Sequence, residues 1–386
     1  MAIQKTRRIA MILYTQGLAY DDRVRKEILT IKRLYKDIDF HIFAITPENK
    51  NESGITHYGV PYTTLYLQSR SKYKSGQNTI LKAWDFYRTT KRYLLNFDAI
   101  WCADTEPLFF VLLLKHRIIW DLHEIPSALL HNSFLKRLFQ YIENRCKVIV
   151  HANPQRISYL VNNRVIKFPN KHLYLRNYPQ FDDNIDIGAE LTYAPIDEFI
   201  QWKGDSKCVY LQGLNEASRA AYESISAVMR IDTIKGVVVG RFDETTKRKL
   251  VDEYGDMLFE KIHFTGMVPQ RYTILYIKEC CASVVLYINT CPNNYYCEAN
   301  RLYQSIVSGN PVVVGNNPPM KDLVKKYGFG AVLDTDGTNI ELITRGILDV
   351  VQNHNIYSSN IVKYRFQFNW DSQTQTHCEI INRLFN

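Results

Sequence analysis

The 386-residue chain lacks any apolar run of the roughly 18 residues that a membrane-spanning helix needs. Its opening, MAIQKTRRIAMILYT, passes from basic to apolar without a small-residue cleavage site. The apolar run Ile9–Tyr14 is also too short for a secretory signal, so it reads as a first buried strand. The expected localisation is cytoplasmic, reaching to the inner face of the cell membrane. The eight cysteines include no CxxC pair and no Cys/His group at zinc spacing. Reduced, mostly buried thiols are expected, and no metal site. There is no GxGxxG, which argues against a nicotinamide dehydrogenase, and no GxxxxGK[ST], which argues against P-loop phosphoryl transfer. No two acids can be nominated to flank a glycosidic bond, so hydrolysis by a carboxylate pair is not indicated.

What is present is apolar content of 46%, enough for two cores in a chain of this length. Charge is unevenly spread. Residues 1–180 hold 28 Lys/Arg and 14 Asp/Glu, while residues 181–386 hold 20 and 25. The first half is strongly basic, which suits an anionic partner: nucleic acid, anionic lipid or a phosphorylated substrate.

Along the chain, apolar runs alternate with helical periodicity. Ile9–Leu13 is followed by Val24, Ile28, Ile31 and Leu34 at helical spacing, and then by the run Phe40–Ile45. This is strand, helix, strand, the unit of a parallel sheet. Ala99–Ala103, Ile118–Asp121 and Val148–His151 continue the strands, with a helix over Leu129–Arg145. After residue 206 a second series begins: Cys208–Leu211, Gly236–Val239, Lys261–Phe264, Ser283–Ile288 and Pro311–Val314, with helices near Arg219–Met229 and Ala299–Ser308. The spacing predicts a first domain over 1–180, a linker with a small insertion over 181–205 and a second domain over 206–366. A terminal helix over 367–386 is expected to pack back on the first domain. The fold class is α/β, with two doubly wound, Rossmann-like domains facing across a cleft.

The segment Asn300-Arg301-Leu302-Tyr303-Gln304, followed by Gly309-Asn310-Pro311-Val312-Val313, resembles the donor-binding helix of family-4 retaining glycosyltransferases with the GT-B fold. Tyr210-Leu211-Gln212-Gly213 with Arg219, Phe264-Thr265-Gly266-Met267-Val268, Asp22-Arg23-Val24 with Glu27, Asp121-Leu122-His123-Glu124 and Arg176-Asn177-Tyr178-Pro179 resemble further landmarks of that family, in the same order. The resemblance covers nearly the whole chain. It implies transfer of a sugar, with retention, from a nucleotide diphosphate-sugar to a glycan or lipid-linked acceptor, and Arg219 and Arg301 beside a helix N-terminus are expected to neutralise the diphosphate without a metal. It implies no cofactor beyond that donor substrate. Its donor-binding set maps to Gly17, Gly213, Arg219, Gly266, Met267, Asn300, Arg301, Leu302 and Gln304, and its catalytic candidates to His123 and Glu298. The chain departs from the family at one point. The family's second Glu, which holds the ribose, is replaced by Gln304, and its first by Tyr296, leaving Glu298 to take the first role.

The chemistry is coherent. A departing diphosphate gains negative charge, and the site must meet it with donors and cations. Asn300 is a favourable helix N-cap, the following turn favours an anion, and Arg301 and Arg219 add positive charge; as ordinary surface charges they would do none of this. Gly17 and Gly266 allow close backbone approach or simply make turns. His123, at a strand tip, can bond a sugar hydroxyl or fill a structural role. Two DxD strings, Asp37-Ile38-Asp39 and Asp334-Thr335-Asp336, fall outside the donor segments and read as loop carboxylates.

In the basic half, Lys72, Lys74, Lys82, Arg88, Lys91 and Arg92 alternate with Tyr73, Trp84, Phe86, Tyr87 and Tyr93. Leu130, Phe134, Leu138 and Phe139 lie beside Lys136, Arg137, Arg145 and Lys147. This suits peripheral contact with an anionic membrane, or amphipathic helices packed on the sheet. No nucleic-acid module is present, and no nucleic-acid partner is expected. Two other functions fit the same halves: a GT-B-fold sugar-nucleotide epimerase, and an inactive glycosyltransferase-like binding partner in a polysaccharide synthesis complex.

Overall fold

The computed structural model describes residues 6–15, 18, 21–74, 77–125, 132–180 and 193–386. The chain divides into two compact units. One is residues 1–177 with 370–386, and the other is residues 178–369.

The first unit holds an eight-stranded sheet. Its strands are β1 (Arg7–Ile12), β2 (Ile38–Thr46), β3 (Glu52–Ile55), β4 (Pro61–Tyr66), β5 (Ala99–Ala103), β6 (Arg117–Leu122), β7 (Val148–His151) and β8 (His172–Tyr174). Their order is β3-β4-β2-β1-β5-β6-β7-β8. Every pair is parallel except β3–β4. The central strands are almost wholly buried, as expected when helices cover both faces of a parallel sheet. On one face lie the helices Asp22–Leu34 and Thr374–Phe385, whose Val24, Ile28, Ile31, Ile380, Ile381 and Leu384 join Met11, Trp101 and Ile119 in one core. Each such side chain contributes about 1.5–3 kcal/mol on burial. Side chains alternate along a strand, so Trp120 points to the other face, where it meets Phe139 of the helix Ser133–Arg145.

The helix Asp22–Leu34 is well specified locally. Asp21 caps it by accepting from Val24 N, Asp22 sits in the first turn, and Lys32 and Arg33 sit in the last. The C-terminal segment is fastened to it by Trp370, whose indole donates to Thr30 Oγ1 at 2.9 Å, and by the Arg33–Asp371 ion pair at 2.6 Å.

The second unit holds six parallel strands: β9 (Lys207–Gln212), β10 (Ile234–Val239), β11 (Ile262–Gly266), β12 (Ala282–Val285), β13 (Val312–Val314) and β14 (Gly330–Val332). Their order is β11-β10-β9-β12-β13-β14. Its apolar core joins Leu211, Val238 and Val284 to the helices Ala221–Met229 and Ile340–Gln352.

Some local expectations differ from the structure. The stretch read as linker contains a helix, Ala194–Lys203, whose Ile196 and Phe199 pack on Tyr210 and Tyr276; residues 181–192 lie outside the described residues. The helix expected from Leu129 is described from Ser133. β12 stops at Val285, because the chain then turns to bring Tyr287 and Asn289 into side-chain contacts. Among the described residues, no helix is long and apolar enough to cross a membrane.

Candidate functional site

In the second unit, the carboxyl ends of β9 and β12 open into turns that gather charge. Gly213 follows β9 with φ +69°, a left-handed conformation that favours glycine. A Cβ there would lie 3.4 Å from Arg301 Nη1 and 3.5 Å from Arg219 Nη1. Two guanidinium groups therefore converge on one glycine. Tyr287 lies beneath both, its ring centroid 5.0 Å from Arg219 Cζ and 4.9 Å from Arg301 Cζ. Arg219 Nη1 also donates to the Tyr287 hydroxyl at 3.0 Å.

The two arginines differ. Arg301 is buried and donates to Gln212 O and, at 2.9 Å, to Leu286 O, tying β9 to the turn after β12. Its Nε has no hydrogen-bond partner. Burial lowers its pKa from the ordinary arginine value; Tyr287 opposes this, and the neighbouring Arg219 reinforces it. Arg219 is only half-buried and offers the accessible charge. Among the described residues, neither forms an ion pair with a carboxylate. Two adjacent cations with no counter-ion among the described residues favour negative charge beside them.

The turn carrying Arg219 is constrained. Ala220, fully buried, has φ +51°. The segment after β12 is held as firmly. Asn317 Nδ2 donates to Asn294 O at 2.8 Å and to Tyr287 O at 3.2 Å, and Asp336 accepts from Asn289 N at 3.0 Å. Asp336 thus works as a loop carboxylate.

The helix Asn300–Val307 starts differently from the sequence reading. Its N-cap is Ala299, with no side-chain cap, and Asn300 is its first helical residue and is exposed. The earlier placement of Asn300 as the cap is therefore corrected: Ala299 carries the extended backbone that a cap position requires. Leu302 is fully buried among Tyr303, Ile306 and Val314, and its N–H is bonded to Ala299 O at 3.0 Å, so its observed role is packing. Asn300 and Gln304, one turn apart, form the accessible edge of this helix. Glu298 sits half-buried just ahead of it. Gly266, with φ +66°, ends β11 and accepts from Gly240 N at 2.9 Å; Met267 beside it is exposed. Gly17 lies outside the described residues.

In the first unit, His123 follows β6. Its Nδ1 lies 3.3 Å from Asp104 Oδ2 and its Nε2 3.3 Å from Asp121 Oδ2. Burial alone would lower its pKa, but the Asp121 charge and the two carboxylate bonds outweigh it and hold the pKa up at about 10. His123 is therefore an imidazolium at neutral pH, with both ring nitrogens engaged; that makes it a fixed charge rather than a general base. Asp121 is buried. Arg23 Nη2 meets its Oδ1 at 2.9 Å, and Arg23 Nε lies 3.0 Å from Glu27 Oε1. Burial works against ionising Asp121, but Arg23 and His123 overcome it and hold its pKa well below the usual carboxylate range. Glu27 is raised well above that range by burial and then by the Asp121 charge. Asp104 itself has φ +65°, an uncommon backbone state of the kind that clusters at functional strand tips.

Sequence reasoning singled out Arg219 and Arg301 but missed Tyr287, Asn317 and the part played by Asp104. An aromatic at the end of an apolar run carries no mark of being a platform for two arginines.

Residue by residue the chain matches no family model, and no curated protein matches it. Solved structures do match in shape. Sucrose-phosphate synthase from Thermosynechococcus elongatus superposes with a TM-score of 0.74 at 14% identity, over 98% of this chain and 99% of that one. This chain has the GT-B fold. HepE of Anabaena, solved with UDP-glucose, gives 0.70 at 15% identity over 97% and 99%. A UDP-forming α,α-trehalose-phosphate synthase from Burkholderia vietnamiensis gives 0.73 at 11% over 97% and 100%. At these identities the likeness establishes the architecture of two Rossmann-like units and leaves the chemistry to the residues.

Proposed function

We propose that this chain is a retaining, metal-independent glycosyltransferase. It moves a sugar from a nucleotide diphosphate-sugar to a glycan or lipid-linked acceptor, and its basic first unit meets an anionic membrane. The observation that carries the reading is the convergence of Arg219 and Arg301 over Gly213 with no carboxylate partner among the described residues.

In this reading the bond from the sugar's anomeric carbon to the leaving phosphate oxygen breaks, and a bond to an acceptor oxygen forms on the same face. The departing phosphate takes the acceptor's proton, leaving a nucleoside diphosphate and a glycoside. Arg219 meets the charge growing on the diphosphate. Arg301, fixed beside it, raises the local potential. Asn300 and Gln304 bond the ribose hydroxyls, and the backbone at Gly266 and Met267 receives the base. Glu298 orients a sugar hydroxyl. His123, in the first unit, contributes a fixed positive charge to the acceptor. The neighbouring structures solved with UDP and UDP-glucose make a uridine donor the first to test.

The test is a thermal-shift panel of UDP, GDP, ADP and CMP, followed by turnover assays with the matching sugar nucleotides in excess EDTA. One nucleoside diphosphate is expected to raise Tm, with turnover surviving EDTA. Turnover lost to EDTA and restored by Mg²⁺ or Mn²⁺ would overturn metal independence. Silence across the panel would favour an inactive binding partner, a reading that the neutral Gln304 in place of the family's Glu supports.

A further inference from the structure

The first unit carries an outward face built against the usual pattern. Along the helix Thr79–Thr90 and the 3-10 turn Lys91–Asn96, Leu81, Trp84, Arg88, Lys91 and Leu95 are exposed at helical spacing, with Ile80, Arg92 and Tyr93 exposed beside them. Solvent-facing helix positions are ordinarily polar with mixed charge. Here the exposed side holds large apolar groups and cations, with Leu95 81% exposed. The acid of this stretch, Asp85, is engaged with Ser69 N at 2.9 Å.

The face continues over two more helices. Trp84 packs edge-on against Phe109 of the helix Leu108–Leu113, with centroids 5.2 Å apart. Arg145 of the helix Ser133–Arg145 in turn donates to Leu114 O. That third helix exposes Phe134 (72%), Arg137 and Tyr141. The acid on it, Glu143, is buried and committed to the backbone N–H groups of Lys167 and Phe168. Exposed apolar side chains thus stand beside cations on the first and third of three adjoining helices, on the sheet face opposite Thr374–Phe385, and among the described residues Arg88, Lys91 and Arg137 form no ion pair.

We propose that this three-helix face is the surface by which the chain docks on a bilayer containing anionic lipid. The inference rests on the membrane contact proposed above and gives it an address. A protein partner can satisfy apolar groups or charges. A row of protruding Leu, Phe and Trp side chains flanked by Arg and Lys suits a headgroup layer, in which the apolar tips enter the acyl boundary and the cations stay among phosphates. The excess of positive charge supplies the complementarity.

The test uses the full chain with vesicles of phosphatidylcholine alone or with phosphatidylglycerol. Sedimentation is expected with the anionic vesicles only, and it should weaken as salt rises. Trp101, Trp120 and Trp370 are buried and Trp202 is half-buried, so Trp84 is the exposed reporter. Its emission should be quenched by brominated acyl chains, and Trp84→Phe should abolish most of that quenching. Each charge near an anionic surface is worth about fivefold in partition. Arg88→Glu with Lys91→Glu should therefore cost roughly twenty-five-fold or more. Leu95→Ser with Phe134→Ser, at positions too exposed to support the fold, should also weaken docking by about tenfold or more.

The proposal is overturned if partition onto neutral and anionic vesicles is equal, or if the folded variants bind as wild type does. It is also overturned if the same variants instead abolish a concentration-dependent dimer, which would assign the face to a second copy. Nucleotide thermal shifts on the same preparations separate the two readings. A shift without vesicle binding sinks the docking face alone, and vesicle binding without a shift sinks the donor site alone.

Discussion

Arg23 grips Asp121 with two nitrogens, Nη2 at 2.9 Å from Oδ1 and Nε at 3.2 Å from Oδ2, although the residues are 98 positions apart. Both are buried, and Arg23 Nη1 also reaches Leu175 O at 2.9 Å. One guanidinium thus joins the first helix, the tip of β6 and the chain after β8. Arg23→Met removes the principal cation from buried Asp121, leaving only His123, and is expected to cost about 3–5 kcal/mol of stability. Asp121→Asn should cost a similar amount. The double variant should cost far less than the sum, as groups in one network do. Urea unfolding of the set checks this; additive losses would show that the pair is not a unit.

The same network sets a pH response. His123 has a folded pKa of about 10, above the ordinary imidazole value, so its stabilising contribution is complete below about pH 6.5 and lost as pH rises through about 10. Asp121 is shifted the other way: its contribution is present above the usual carboxylate range and lost as pH falls toward its depressed folded value. Wild-type Tm should therefore decline on the alkaline side between about pH 7 and 10. His123→Gln, which cannot ionise, should flatten that decline while lowering stability near neutrality by about 1–3 kcal/mol. Parallel alkaline slopes in the two proteins would contradict the assignment.

Donor affinity should follow charge. Arg219→Ala removes a charge-assisted contact and should cost about 1.5–3 kcal/mol in binding of the preferred nucleoside diphosphate. Gln304→Ala removes neutral bonds at about 0.5–1.5 kcal/mol each. Tyr287→Phe should fall below Arg219→Ala, because the ring stays under both guanidinium groups and one hydroxyl acceptor is lost. Calorimetric titration gives the ranking. If the folded Arg219→Ala variant binds as wild type does, the diphosphate sits elsewhere.

Strain at Ala220 is measurable by substitution. A left-handed residue with a Cβ costs roughly 1–2 kcal/mol, so Ala220→Gly should be neutral or stabilise by up to about 1 kcal/mol. Gly337 faces that alanine. It has φ +109°, and a Cβ on it would come within 3.1 Å of Ala220 Cβ and of Leu286 Cβ. Gly337→Ala should therefore destabilise by about 1–3 kcal/mol. Melting temperatures of the two variants moving in the same direction would contradict this account.

The alternation of apolar runs and 3.6-residue periodicity was enough to place both parallel sheets, because strand and helix periods are written in neighbouring residues. The run Phe40–Ile45 and the spacing of Val24, Ile28 and Ile31 needed no partner to be read. So was the prominence of Arg219 and Arg301, each beside a recognisable turn. Short edge strands such as β3 and β14 were not legible, since three or four residues carry too little period. The tertiary structure alone decided which side chains share a charge. Arg219, Tyr287 and Arg301 meet because β9 and β12 are neighbours in the sheet, while Gly213 and Tyr287 are 74 positions apart in the chain. Arg23, Asp121 and His123 form one network for the same reason. Whether a cation is a solvated ornament or an anion site depends on what faces it, and that is a property of packing, which local sequence does not record.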